Sequence, residues 1–194
     1  MDQPIYRTLI PLFDELRGPR VVVRPYRPDD AQALFDAVAE SREYIRPWLP
    51  FADAHQSVAE SRDWLIQQQA KWLLREDLAL SIWDAADPAR FLGGVGLHPH
   101  NWDIRFFEIG YWLRPSAAGQ GYMTAAVQLL VDYALGELGA QRLQIRCDER
   151  NAPSAAVARR VGFVLEGRLR NDSRGADGSL RTTLFFGRVP GDPP

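Results

Sequence analysis

Gly119, Gln120, Gly121, Tyr122, Met123 and Thr124 stand between the apolar segment EIGYWL and a run with helical spacing, Met123, Val127, Leu130, Val131, Ala134, Leu135 and Leu138. A glycine-bearing turn that opens a helix gathers backbone N–H groups on one spot, and such a spot suits a phosphate. A side chain at 119 or 121 would keep a phosphate away from those amides. No third glycine follows at the dinucleotide offset, and no Lys-Ser or Lys-Thr pair follows as in a nucleotide P-loop, so a different phosphate-bearing ligand is implied. The other reactive side chains are few. Cys147 is the only cysteine, which leaves no intrachain disulfide and no multi-cysteine zinc site. The histidines, His55, His98 and His100, fall in segments that read as loops or strand ends. Cys147 therefore reads as a buried strand thiol rather than a nucleophile. His98 and His100 lack a third ligand, and no metal is expected.

The elements that must position these residues follow from periodicity and punctuation. RVVVRPY, from Arg20, is a short β-branched strand stopped by proline, and Asp29 and Gln32 at capping-box spacing lead into a helix with Ala31, Leu34, Phe35 and Val38 inward. Residues 44–56 mix aromatics with prolines and read as a loop, after which Ser57 caps a second helix carrying Val58, Leu65 and Trp72. LALSIWD, FLGGVGLHP and FFEIGYWL form an antiparallel meander. The helix after the glycine turn ends at Gly139; then come a strand RLQIRC, a short helix PSAAVARRVG and two strands, FVLEGRL and RTTLFFG, joined by a turn at Ala176 to Gly178. The order predicts an α/β (α+β) fold: a mixed, mostly antiparallel central sheet of about six or seven strands with helices on both faces. Residues 1–19 read as an arm, 20–188 as the domain and 189–194 as a tail.

Composition narrows the partners. With 194 residues, 46% of them hydrophobic, the chain can bury one core without cross-links. A net charge of -2 and a pI near 5.9 argue against a protein that clamps nucleic acid or coats an anionic membrane. With an acid at position 2 and prolines at 4 and 11, the amino-terminal segment reads as neither signal peptide nor anchor, and the single cysteine fits a reducing cytoplasm. A homodimer is compatible with the sequence.

Thirty residues beyond Gly121, NAPSAAVARRVGF follows RLQIRC directly. Asn151, Ser154, Arg160, Gly162 and Phe163 match the Asn-x-x-Ser, basic, Gly-Phe pattern of the GNAT superfamily of N-acetyltransferases, which the chain resembles over about residues 20–188. IRPWLPF, EIGYWL, GQGYMT and FVLEGRLR further resemble the branch that acetylates the amino termini of ribosomal proteins. The resemblance implies the acyl-CoA N-acyltransferase fold and acetyl-coenzyme A as co-substrate, lying where the parallel strands EIGYWL and RLQIRC splay apart. It places the pyrophosphate on Ala118 to Thr124 and the pantetheine along Trp112 and Leu113 with Asn151. Arg160 would approach the 3′-phosphate, and Ser154 would give a proton to the leaving thiolate. Tyr44, Trp48 and Phe51 would line the acceptor cleft or anchor it. Ala118, Met123 and Ala125 depart from the family's usual residues, and no acid stands near Thr182. The acceptor implied is a protein α-amine, roughly a tenth neutral at pH 7, so it needs little help from a base, whereas a lysine amine is neutral about once in a few thousand. Glu108, two residues before Gly110, is the candidate for that help. A small amine acceptor, or a non-catalytic acyl-coenzyme A-binding protein, stays open on sequence alone.

Overall fold

The computed structural model describes residues 6–175 and 178–193, without the side chains of Pro50 and Ala52. The apolar and β-branched runs form β1 (Leu16–Arg17), β2 (Val21–Pro25), β3 (Leu78–Asp84), β4 (Phe91–Asn101), β5 (Phe106–Leu113), β6 (Arg142–Asp148), β7 (Val164–Arg174) and β8 (Leu180–Arg188). Between them lie α1 (Ala31–Ile45), α2 (Val58–Leu74), α3 (Tyr122–Gly136) and α4 (Ala152–Arg160). Among the described residues the strands make one sheet in the order β1-β2-β3-β4-β5-β6-β8-β7. Every pairing is antiparallel except β5 with β6. The eighth strand comes from the amino-terminal arm, where Leu16 pairs with Val23 and Arg17 with Val22.

Alternation along the strands feeds two cores. Phe107 and Ile109 of β5 pack with Val127, Leu130 and Val131 of α3 and Ala155 and Ala158 of α4. Trp112 joins the other face with Trp83, Phe91 and the α1 and α2 residues Leu34, Val38 and Leu65. Ser57 caps α2 as its type predicts, accepting from the Glu60 amide at 3.2 Å, while the Glu60 carboxylate accepts from the Gln56 amide at 2.8 Å.

Several local expectations are displaced. Asp29 and Gln32 do not pair; Asp30 accepts from the Arg27 amide at 2.8 Å and is held by Arg24 at 2.7 Å, while Gln32 reaches Asp36. An ion pair across the entrance to α1 replaces the local cap. β4 runs through His98 and Pro99 to Asn101, with a register shift between Pro99 and Asn101, because a proline is tolerated where a bulge removes its ladder bond. His98 lies near the strand end, as the segment FLGGVGLHP predicts, and β4 continues two residues further than expected to take in His100. α3 stops at Gly136, and left-handed Gly139 (φ 66°) follows after a further turn. Ala176 and Asp177 of the expected hairpin turn lie outside the described residues.

Candidate active site

β5 and β6 run side by side for three pairs only: Phe106 with Arg142, Phe107 with Leu143 and Glu108 with Gln144. Beyond Glu108 each strand follows its outer neighbour, β5 staying with β4 up to Leu113 opposite Gly93, and β6 with β8 up to Asp148 opposite Thr183. The sheet opens into a notch. Alternate N–H and C=O groups of the opened β5 edge face no strand. A cavity of about 480 Å³ occupies this opening. Its wall brings together Glu108, Trp112, Leu113, Ala118, Gly119, Gly121, Met123, Thr124, Asn151, Ser154, Arg160, Tyr44 and Trp48, from four separate stretches of chain.

At one end is the glycine turn. Gly119 (φ 73°) and Gly121 (φ 80°) both adopt left-handed backbone, and nothing lies within 4 Å of where a Cβ would stand. Glycine here answers a conformation and leaves open space in front of the amides. The Ala125 amide donates to the Gly121 carbonyl at 3.1 Å, so those of Tyr122, Met123 and Thr124 precede the first helical bond and lack an intrahelical acceptor. The turn is braced from behind. Arg20 donates to the Gln120 carbonyl at 2.6 Å, and the Ser116 amide donates to Glu40 at 3.0 Å. Glu40 also pairs with Arg114. Burial pushes the Glu40 carboxyl up, but the Arg114 and Ser116 bonds outweigh it and hold it down at about 2. Two expected contact residues turn outward: the Gln120 amide reaches the Ser116 carbonyl at 3.0 Å, and the Tyr122 hydroxyl donates to Asp84 at 2.9 Å. Neither residue is part of the cavity wall.

The opposite wall is the start of α4. Asn151 accepts from the Ser154 amide at 3.2 Å and so caps the helix, which points the Ser154 hydroxyl at β5. That hydroxyl lies 3.0 Å from the Tyr111 hydroxyl, which also donates to the Ser154 carbonyl at 3.0 Å. Burial pushes the Tyr111 phenol well above its ordinary value, so it stays protonated. Burial raises the Cys147 thiol, outweighing the lowering influence of the nearby Ser154 hydroxyl. Cys147 is a poor nucleophile here.

The remaining wall of the cavity is built from α1, β5, β6 and β8. Exposed Tyr44 and half-buried Trp48 line the cavity; Phe51 lies behind them, its ring 5.5 Å from Trp112 and 5.8 Å from His55, as an anchor of the loop. Arg181 fixes that loop from β8 by donating to the Pro47 and Trp48 carbonyls. Asp148, beside it, is paired with Arg150 at 2.7 Å and Arg181 at 3.4 Å. The Arg150 bond, with the charges of both arginines, holds Asp148 below the usual carboxylate range against burial. Glu108 Oε2 receives Arg146 at 2.7 Å, His100 at 3.0 Å and Gln144 at 3.4 Å. Among the described residues no group of three or more His, Cys, Asp or Glu could hold a metal ion, and no helix is long and apolar enough to cross a membrane.

The family model for the acetyltransferase (GNAT) domain matches residues 20–164. The chain belongs to the GNAT acetyltransferases. A Bacillus subtilis (strain 168) relative, YdaF, named with the ribosomal N-acetyltransferases, is 30% identical over 153 residues, 78% of this chain and 81% of its own. Among solved structures, the RimL ribosomal α-N-protein acetyltransferase in complex with coenzyme A superposes with a TM-score of 0.83 at 22% identity, covering 90% of this chain and 97% of its own. The microcin C7 self-immunity acetyltransferase MccE, in complex with acetyl-CoA and AMP, gives 0.81 at 21% identity over 89% and 93%. In this GNAT acetyltransferase two site residues escaped the sequence reading. Tyr111 carries the signal of a polar hydroxyl on an otherwise apolar strand. Arg181 carries none, because its partners lie 134 and 133 residues away.

Proposed function

We propose that the protein transfers the acetyl group of acetyl-coenzyme A to a protein α-amine. The observation that carries this is the notch itself: an opened β5 edge, a left-handed glycine turn with unoccupied amides, and a hydroxyl pair, all on one cavity of about 480 Å³. The residues present fit the cofactor. The amides from Gly119 to Thr124 would take the pyrophosphate. The β5 edge at Trp112 and Leu113, with Asn151, would take the pantetheine by strand addition, and Arg160 is assigned to the 3′-phosphate. An edge amide near Leu113 would donate to the thioester oxygen as charge develops. Ser154, with Tyr111 behind it, would pass a proton to the departing sulfur. When bound, the co-substrate supplies the activated acetyl group, and no covalent enzyme intermediate is needed.

Two features support a peptide acceptor over a polyamine. The charged residues of the cavity wall are Arg146, Arg160 and Arg181 against Glu108 and Asp148, so the wall has no net negative charge to attract a polycation. The exposed Tyr44 edge leaves the cleft open toward solvent. RimL and YdaF, named for ribosomal substrates, point the same way. The single buried thiol is compatible with a cytoplasmic setting. The assay follows free-thiol release from acetyl-coenzyme A with amino-terminal peptides, polyamines, amino acids and aminoglycosides. Peptides acetylated at their first residue are the expected outcome. Faster turnover of a small amine would overturn the acceptor, and binding without turnover would overturn the enzyme.

A further inference from the structure

We propose that His98, oriented by Asp77, takes the proton of the acceptor amine, a role the sequence pattern gave to Glu108. This rests on the acetyl-transfer reading above. His98 and Glu108 are opposite one another in the β4–β5 register, and so are Gly96 and Gly110. The imidazole lies flat over those two glycines: a Cβ on Gly110 would come within 2.8 Å of its Nε2, and one on Gly96 within 3.0 Å. Any other residue at 110 would push the ring away. Gly110 and Glu108 both line the notch; His98 is not itself part of its wall, and its Nε2 stands over Gly110, on the same strand as the Trp112–Leu113 edge assigned to the thioester and three residues before Leu113.

Nδ1 lies 2.6 Å from Asp77. With the carboxylate accepting from Nδ1–H, the lone pair of the neutral ring is on Nε2, which has no hydrogen-bond partner among the described residues. Glu108 is differently placed. Its Oε2 is occupied by Arg146, His100 and Gln144, and protonating it would cost the ion pair with Arg146. The charged groups acting on His98 are Asp77, from the turn before β3, and Glu108 of β5; Arg146 of β6 and His100 of its own strand bear on it only through Glu108. Burial pushes the imidazole down, but the Asp77 bond and the two carboxylate charges outweigh it and set it above the ordinary histidine value.

The proton balance is complete. The acceptor ammonium gives one proton to Nε2, leaving a neutral amine and an imidazolium facing Asp77. The amine nitrogen then bonds the thioester carbon, the C–S bond breaks, and the second nitrogen proton passes through the Ser154 hydroxyl to the sulfur. His98 returns its proton to solvent. Asp77 is a positioning residue; His98 is the catalytic one.

The test measures kcat against pH, at saturating acetyl-coenzyme A and peptide, for the wild type, His98→Ala, Asp77→Asn and Glu108→Gln. His98→Ala should lose about 10²-fold in kcat, the low end of general-base effects because the α-amine is already partly neutral. Its coenzyme A affinity should be kept, its acid limb lost, and part of its rate restored by added imidazole, which a purely structural role would not allow. Neutral His98 is the active form, so Asp77→Asn, by lowering its pKa, should move the acid limb to lower pH. A wild-type kcat and limb in His98→Ala, or a limb that disappears in Glu108→Gln alone, overturns the assignment while leaving acetyl transfer intact. A wild type that binds acetyl-coenzyme A but releases no thiol with any acceptor overturns both.

Discussion

Gly121→Ala separates the two demands that the glycine turn makes. At φ 80° an L-residue pays for left-handed backbone, about 1–2 kcal/mol, and with nothing within 4 Å of the new Cβ no protein collision adds to that. The substitution should therefore lower stability by about 1 kcal/mol. The same methyl group projects into the space in front of the Tyr122 to Thr124 amides. Losing one hydrogen bond to a charged phosphate costs about 1.5–3 kcal/mol, so coenzyme A should bind roughly 10- to 150-fold more weakly. Gly178→Ala is the control: its φ of 76° is similar and its surroundings equally open, but it lies in the β7–β8 turn. It should share the stability loss without the affinity loss. Calorimetric titration with coenzyme A and with pantetheine, beside urea unfolding, reads both. Pantetheine lacks the pyrophosphate and should bind Gly121→Ala as it binds the wild type. Equal coenzyme A affinity in wild type and Gly121→Ala would refute the assignment of the pyrophosphate to this turn.

Ser154→Ala should lower kcat about 10²- to 10⁴-fold if its hydroxyl carries the proton to sulfur, with a stability loss near 1 kcal/mol for the bond to Tyr111; an unaltered kcat in thiol-release assays would remove it from the reaction. Asp148→Asn breaks a buried ion pair and leaves Arg181 uncompensated, so the urea midpoint at neutral pH should fall by the equivalent of about 3 kcal/mol. Because the folded-state pKa of Asp148 is depressed, its contribution is complete above about pH 3.9 and is lost as pH falls through the folded value. The wild-type midpoint should decline below about pH 4, and the gap to Asp148→Asn should close there; a gap independent of pH would deny the ion pair its role.

What the sequence made legible was local or periodic. Leu130 and its neighbours gave α3, Ser57 gave the start of α2, and Asn151 with Ser154 gave the shape of the α4 entrance. What stayed hidden depended on partners far away in the chain. Leu16 and Arg17 carry no strand pattern of their own and become β1 only because β2 has a free edge. His98 and Pro99 already stood at the end of the strand segment FLGGVGLHP, whereas His100 lay beyond it, and β4 reaches Asn101 through a register shift after Pro99. Of the candidate site, the glycine turn and the Asn-Ser helix could be placed in advance. Gln120, Tyr122 and Phe51 could not, since the direction of each side chain is decided by Ser116, Asp84 and Trp112, none of which is its neighbour in the pattern that drew attention to it.

The three-pair seam between β5 and β6 divides the sheet into a five-strand block and a three-strand block, with the notch between them. A ligand held by the β5 edge and the α3 turn on one side, and by α4 on the other, acts as a staple across that seam. Thermodynamic linkage then ties the fold to its supply: a ligand at a hundred times its Kd adds about 2.7 kcal/mol to the stability of the bound form. Acetyl-coenzyme A or spent coenzyme A, held across the seam as proposed, would raise the protein's resistance to unfolding to an extent set by how far its concentration exceeds its Kd.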